Sequence, residues 1–247
     1  MEVAAFEVSA RVSAPHVAAA GRPLGSRILG AVEATRAAVS ENTNLGILLL
    51  SAPLAMAAER GGDLRAGVPD LLENLTRDDA ADVFRAIALA SPGGLGASGE
   101  EDVSRPPSVG LVEAMRIAAH RDRIARAYTD GFDDVFATGL PALGDEVMTD
   151  LLPATHCFLA FARRFPDSHI ARKFGPERAE KVRRRFELLH KHLKQSGNPE
   201  ERREALLALD RQLKDDAVNP GTSADFTVAS LFAFRLSGGL KNSEAND

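Results

Sequence analysis

No stretch of this chain alternates apolar and polar residues over the four to eight positions that a half-buried strand requires. Apolar residues recur instead at spacings of three and four. In "PLGSRILGAVEATRAAV" they fall at Leu24, Ile28, Val32 and Val39. In "PERAEKVRRRFELLHKHLKQ" they fall at Val182, Phe186, Leu189 and Leu193, and in "NPEERREALLALDRQL" at Leu206, Leu209 and Leu213. Residues 43–60, "TNLGILLLSAPLAMAAER", are apolar nearly all round, as a buried helix would be. "TRDDAADVFRAIALA" opens with Thr76 and Asp79 at capping-box spacing. Further helices are predicted over 108–128, from Ser108, and over 141–165, where Pro141 suits a first helical position. The last is predicted from about Ser223 to Leu236. These signals predict an all-α fold of roughly eight to ten helices with no internal repeat. They are read as one globular helical domain over residues 1–240, with a flexible tail at 241–247. Residues 91–107, "SPGGLGASGEEDVSRPP", read as a long loop.

Composition narrows the function. The chain has 247 residues, enough to bury a sizeable core. Its net charge of -5, with one Tyr and no Trp, argues against a nucleic-acid partner. One cysteine, Cys157, excludes an intrachain disulfide and a zinc site built on cysteines. "MEVAAFEVSARV" lacks the apolar core of a signal peptide, and the run Leu45 to Ala58 is too short to span a bilayer. The expectation is a soluble cytoplasmic protein with no membrane partner.

Four polar stretches interrupt the helices. "NPGTSAD" at 219–225 can cap the last helix through Thr222 or Ser223, with Asp225 reaching back. The same geometry can hold phosphate oxygens, with magnesium between phosphate and aspartate. "SENTNLG" at 40–46 leads into the most apolar helix, so Asn42 or Thr43 reads as a cap, or Asn42 and Asn44 as amides offered to a nucleotide. In "HRDRIARAY" the residues Asp122 and Arg126 stand four apart, as a surface pair does. In "FPDSHIARKFG" the residues His169, Arg172 and Lys173 gather near a helix start, against the usual dipole preference. A bound polyanion accounts for that gathering. "PGGLG" at 92–96 lacks the Gly-Lys-Ser/Thr of a P-loop. His190 and His192 lie on different faces of one helix and suit a solvated role better than joint metal ligation.

The order "NTNLG", "PGGLG", "EDV", "AAHRDRIARAY", "PDSHIARKFG", "NPGTSADF" resembles the triphosphoribosyl-dephospho-CoA synthase family, over roughly residues 24 to 236. The resemblance implies an all-helical transferase of cofactor biosynthesis. It would move the triphosphoribosyl group of ATP to a hydroxyl of dephospho-CoA and release adenine. It implies Asp122, Asp167 and Asp225 in acid–base work, with Asp167 and Asp225 also holding Mg2+. It implies Asn42, Thr43, Asn44, Gly46, Arg126, His169, Arg172, Lys173 and Ser223 beside the nucleotide. Such chemistry needs a carboxylate for the hydroxyl proton and cations for the triphosphate.

The chain departs from the family pattern twice. The family's early Pro-Lys-Pro-Gly motif is not in this sequence, and "MEVAAFEVSARV" resembles the segment that follows it. One wall of the expected phosphate site goes with that motif. Asn44 and Leu45 stand where the commoner motif has His and Lys. Both "NTNLG" and "PDSHIARK" look closer to a divergent branch associated with one-carbon cofactors of the methanopterin or methylofuran type. That branch implies a related acceptor, or a non-catalytic nucleotide-binding protein acting in such a pathway. An exposed apolar stripe on packed helices would suit a homodimer.

Overall fold

The computed structural model describes residues 3–39, 41–90, 107–144 and 148–238. Among them lie thirteen α-helices, one π-helical turn and no strand. The Gly-rich motif 92–96, the "EDV" tripeptide and the tail 241–247 lie outside the described residues. No described helix is long and apolar enough to cross a membrane. Contacts between backbone positions divide the chain into two compact units, 1–133 with 232–247, and 134–231.

The first unit holds α1 (Val3–Val17), α2 (Leu24–Ala38), α3 (Leu45–Glu59), α4 (Leu64–Glu73), α5 (Arg77–Ala90), α6 (Leu111–Ala118) and α7 (Arg123–Asp130). Helix α2 packs against both α1 and α5, and α3 against α1, α2, α4 and α7. Leu24, Ile28 and Val32 are buried on the predicted stripe of α2, and α3 buries residues all round. Each such leucine or isoleucine contributes about 1.5–3 kcal/mol by leaving water.

Two polar devices close this core. Arg27 is 1% exposed, and a buried guanidinium needs all its donors used. It donates to Glu59 through both terminal nitrogens at 2.6 and 2.7 Å, to the Val17 carbonyl at 3.1 Å and to the Arg22 carbonyl at 3.0 Å. Those hydrogen bonds hold the Glu59 carboxyl below its ordinary range. The second device repairs a proline. Pro53 lies inside α3 and has no N–H, so the carbonyl four residues back, Leu49, loses its helical donor. The buried Tyr128 hydroxyl of α7 donates to that carbonyl at 2.7 Å.

The second unit holds the π-helical turn Val135–Gly139, α8 (Leu140–Leu143), α9 (Pro153–Arg164), α10 (Ser168–Phe174), α11 (Pro176–Gln195) and α12 (Pro199–Asp215). It also holds the start of α13 (Gly221–Leu236), whose residues from 232 onward count with the first unit. The core joins Leu159 of α9, Ile170 of α10, Val182, Phe186 and Leu193 of α11, and Leu209 and Leu213 of α12. Gly139 faces Ser230 so closely that a Cβ there would lie 1.8 Å from its hydroxyl oxygen. Only glycine fits that approach.

Two predicted helices are broken. Residues 108–128 form α6 and α7, because Asp122 caps a new start in the middle of the amphipathic run. Residues 141–165 contain the end of α8 and then α9, which begins at Pro153. Helices α1 and α4 were not predicted, and with these breaks they raise the count above eight to ten.

Candidate active site

In the second unit, the candidate residues converge on Asp167. Its backbone is extended at the start of α10, and its carboxylate supplies what the first helical amides lack. Oδ1 accepts from the amides of His169 at 2.9 Å and Ile170 at 3.2 Å. Oδ2 accepts from the amide of Ser223 at 2.8 Å and from its hydroxyl at 2.9 Å. One carboxylate thus satisfies the N-termini of two helices, α10 and α13. The Asp167 side chain is buried, 5% exposed as a residue, and its four acceptor positions are occupied.

The Thr222 hydroxyl oxygen accepts from the same His169 amide at 3.1 Å. The predicted local cap of α13 is therefore replaced by a long-range one. Helix α13 starts at Gly221, ahead of the predicted Ser223, and the Ser223 amide is capped by Asp167, 56 residues away, where Asp225 was expected to reach back. Asp225 is half-buried on the same helix.

The cations gather here as the sequence suggests. His169 and Arg172 are half-buried, with the guanidinium 3.5 Å from the imidazole Nδ1. Burial holds His169 below its ordinary pKa, Arg172 adds to that effect and Asp167 opposes it. Lys173 is exposed, with its ammonium 5.1 Å from the centre of the Phe174 ring.

The first unit forms a second cluster. Thr43 donates to the Ser9 hydroxyl at 2.6 Å, and the Asn44 amide donates to Thr35 at 3.2 Å and Ser13 at 3.4 Å. All five side chains are buried. Asn44 and Thr43 therefore tie the start of α3 to α1 and α2. Asn42 is exposed and accepts from the Leu45 amide at 3.1 Å, so it supplies the capping oxygen. Asn42 and Asn44 line a shallow cleft of about 270 Å³ with Arg36 and Glu41. Gly46 is half-buried in the first turn of α3. On α7, Asp122 accepts from the amides of Ile124 and Ala125 at 2.9 and 3.1 Å, and Arg126 pairs with Asp130 at 3.6 Å.

Sequence reasoning missed Ser9, Ser13 and Thr35. The available signal was two serines four apart on one face of α1. Among the described residues no group of three or more His, Cys, Asp or Glu converges on a metal position. With its acceptor positions filled, Asp167 does not fit as a direct metal ligand in this geometry. A magnesium ion commonly takes one or two carboxylates and completes its shell with water and phosphate oxygens, so Asp225 with the substrate's phosphates is the arrangement compatible with these residues.

An all-helical chain with buried caps and cations at helix starts is built to hold a phosphorylated ligand more readily than a polymer. The family described as CitG, ATP:dephospho-CoA triphosphoribosyl transferase, matches residues 1–244. The chain belongs to this family and is a triphosphoribosyl-dephospho-CoA synthase-like transferase of cofactor biosynthesis. The family uses ATP as a substrate. A solved structure assigned as a triphosphoribosyl-dephospho-CoA synthase from Archaeoglobus fulgidus shares the fold, with a TM-score of 0.73 at 24% identity, over 96% of this chain and 99% of that one. No curated protein sequence matches the chain.

Proposed function

We propose that this protein transfers the triphosphoribosyl group of ATP to a hydroxyl of dephospho-CoA. The acceptor oxygen forms a bond to the anomeric carbon as the bond from that carbon to the adenine nitrogen breaks. The hydroxyl gives up its proton and the departing adenine takes one up. The observation that carries this reading is the gathering of His169 and Arg172 beside a buried carboxylate that fixes two helix starts. His169, Arg172 and Lys173 would hold the triphosphate, and Ser223 would border it. Asp225 is the carboxylate we assign to the acceptor proton, with magnesium carried on the phosphates beside it. Asp167 holds the site in shape. Asn42, Thr43, Asn44 and Gly46 would border the nucleotide, and Asp122 and Arg126 are kept as further candidates.

One observation favours a second reading, a related one-carbon cofactor as acceptor or a nucleotide-binding role in its pathway. Asn44 and Leu45, which replace a His and a Lys, are both buried, so this stretch presents no cation of its own. Adenine release separates the readings. The protein is incubated with ATP and magnesium, with and without dephospho-CoA, and the bases are resolved by chromatography. Adenine formed only with dephospho-CoA supports the first reading. ATP binding without adenine release supports the second.

A further inference from the structure

Thr222 belongs to no role assigned above. Its residue is 6% exposed, and its hydroxyl oxygen is already an acceptor for the His169 amide at 3.1 Å. That bond points one lone pair at His169 and leaves the hydroxyl proton to be directed elsewhere. The proton has no acceptor among the described residues. Its neighbours use theirs: Ser223 donates to Asp167 at 2.9 Å, Thr227 to the Ser223 carbonyl at 2.8 Å and Ser230 to the Phe226 carbonyl at 2.7 Å. Thr222 is thus the hydroxyl in the first three turns of α13 whose proton stays unused in the described structure. A buried hydroxyl that forgoes its donor bond is costly unless something arrives to accept it.

The charges around it say what would arrive. The Thr222 oxygen reaches the residue whose imidazole stands 3.5 Å from the Arg172 guanidinium. Asp167, the carboxylate within the same group, is occupied by four donors and has no lone pair to receive the Thr222 proton. An incoming acceptor beside Arg172 and His169 is therefore an anion. There is space on the near side of α13, since a Cβ on Gly221 would come no closer than 3.4 Å to the His169 ring.

We propose that Thr222 is a phosphate-contacting and positioning residue. Its oxygen sets the His169 backbone, and its proton goes to a phosphoryl oxygen of a polyphosphate held by His169 and Arg172. This rests on the triphosphate reading of the same cluster.

The test uses the full chain, inorganic tripolyphosphate as probe, calorimetric titration and the NMR signals of the His169 ring. Thr222→Val keeps the shape and removes the hydroxyl, and Thr222→Ser restores it. In the wild type, tripolyphosphate should bind and move the His169 signals. Thr222→Val should weaken binding by about tenfold or more, the size of a hydrogen bond to a charged group. Thr222→Ser should recover affinity to within about threefold, since its hydroxyl is the same donor. Thr222→Cys, with a weak donor and acceptor, replaces Val if the Val variant does not fold, and should lose affinity in the same direction. Wild-type binding with an unchanged affinity in Thr222→Val overturns the role of Thr222 and leaves the phosphate cluster standing. A wild type that does not bind tripolyphosphate, with His169 unmoved, overturns the cluster and Thr222 together. Adenine release then judges the transferase reading separately.

Discussion

Asp79 in the first unit and Asp167 in the second perform the same structural task with different surroundings. Asp79 Oδ2 accepts from the Thr76 amide at 2.9 Å and hydroxyl at 2.8 Å, which completes the predicted capping box of α5. Its Oδ1 accepts from the Gly25 amide at 2.9 Å in the first turn of α2. Asp167 likewise caps its own helix and the first turn of another. Both are buried. Around Asp79 the fit is closed, because a Cβ on Gly25 would meet the Asp79 backbone at 2.7 Å. Around Asp167 the packing is looser, and His169, Arg172 and Lys173 follow within two turns. A buried carboxylate at a helix start is therefore not a catalytic signal by itself. The side chains that it positions make the difference.

Paired glycine variants put the largest stress on this comparison. Gly25→Ala drives a methyl into the Asp79 backbone and should destabilise the protein by about 3 kcal/mol or more. Gly221→Ala meets ordinary contact distances and should stay within about 1 kcal/mol of the wild type. Urea unfolding of the two proteins checks both values. Equal losses would mean that the two bridges are packed alike.

Tyr128→Phe extends the test to an acceptor in the closed unit. It removes the donor to the Leu49 carbonyl, which Pro53 cannot supply, and should cost about 1–3 kcal/mol by thermal unfolding. Tripolyphosphate affinity should not change. No stability loss would mean that the carbonyl finds another donor.

The smallest expected effect is a pH slope from the second unit. His169 is held below 6.5, the value of an unperturbed imidazole. As pH falls, the unfolded chain takes up this proton first, so it binds more protons than the folded chain. The contribution of His169 is complete above 6.5 and is lost as pH drops from there toward the depressed folded value. His169→Gln should flatten this part of the profile. Urea midpoints at about pH 7.5 and 5.5 in both proteins measure the difference, whose sign follows from linkage.

Much of the fold was legible because apolar spacing reports a buried face directly. The stripe Leu24, Ile28, Val32 and the all-apolar α3 are local facts of the chain, and so is the box from Thr76 to Asp79. The break at Asp122 was hidden because "HRDRIARAY" keeps a helical pattern across it. The site was only half legible. Chemistry-bearing residue types marked 165–175 and 219–225, and the family resemblance put them in order. The bond from Asp167 to Ser223 crosses 56 positions and has no local signature. Nor does the burial of Thr43 and Asn44 against Ser9, Ser13 and Thr35, since each is an ordinary polar residue until the helices meet.

The most direct measurement is adenine release from ATP and dephospho-CoA by Asp79→Asn and Asp167→Asn, each rate divided by the folded fraction found from unfolding curves. Asp79→Asn should keep the wild-type rate per folded molecule. Asp167→Asn should fall by roughly 10- to 100-fold, the loss that follows when reacting groups are misplaced by about an ångström. Equal rates per folded molecule in the two variants would contradict the assignment of the reaction to the cluster around Asp167.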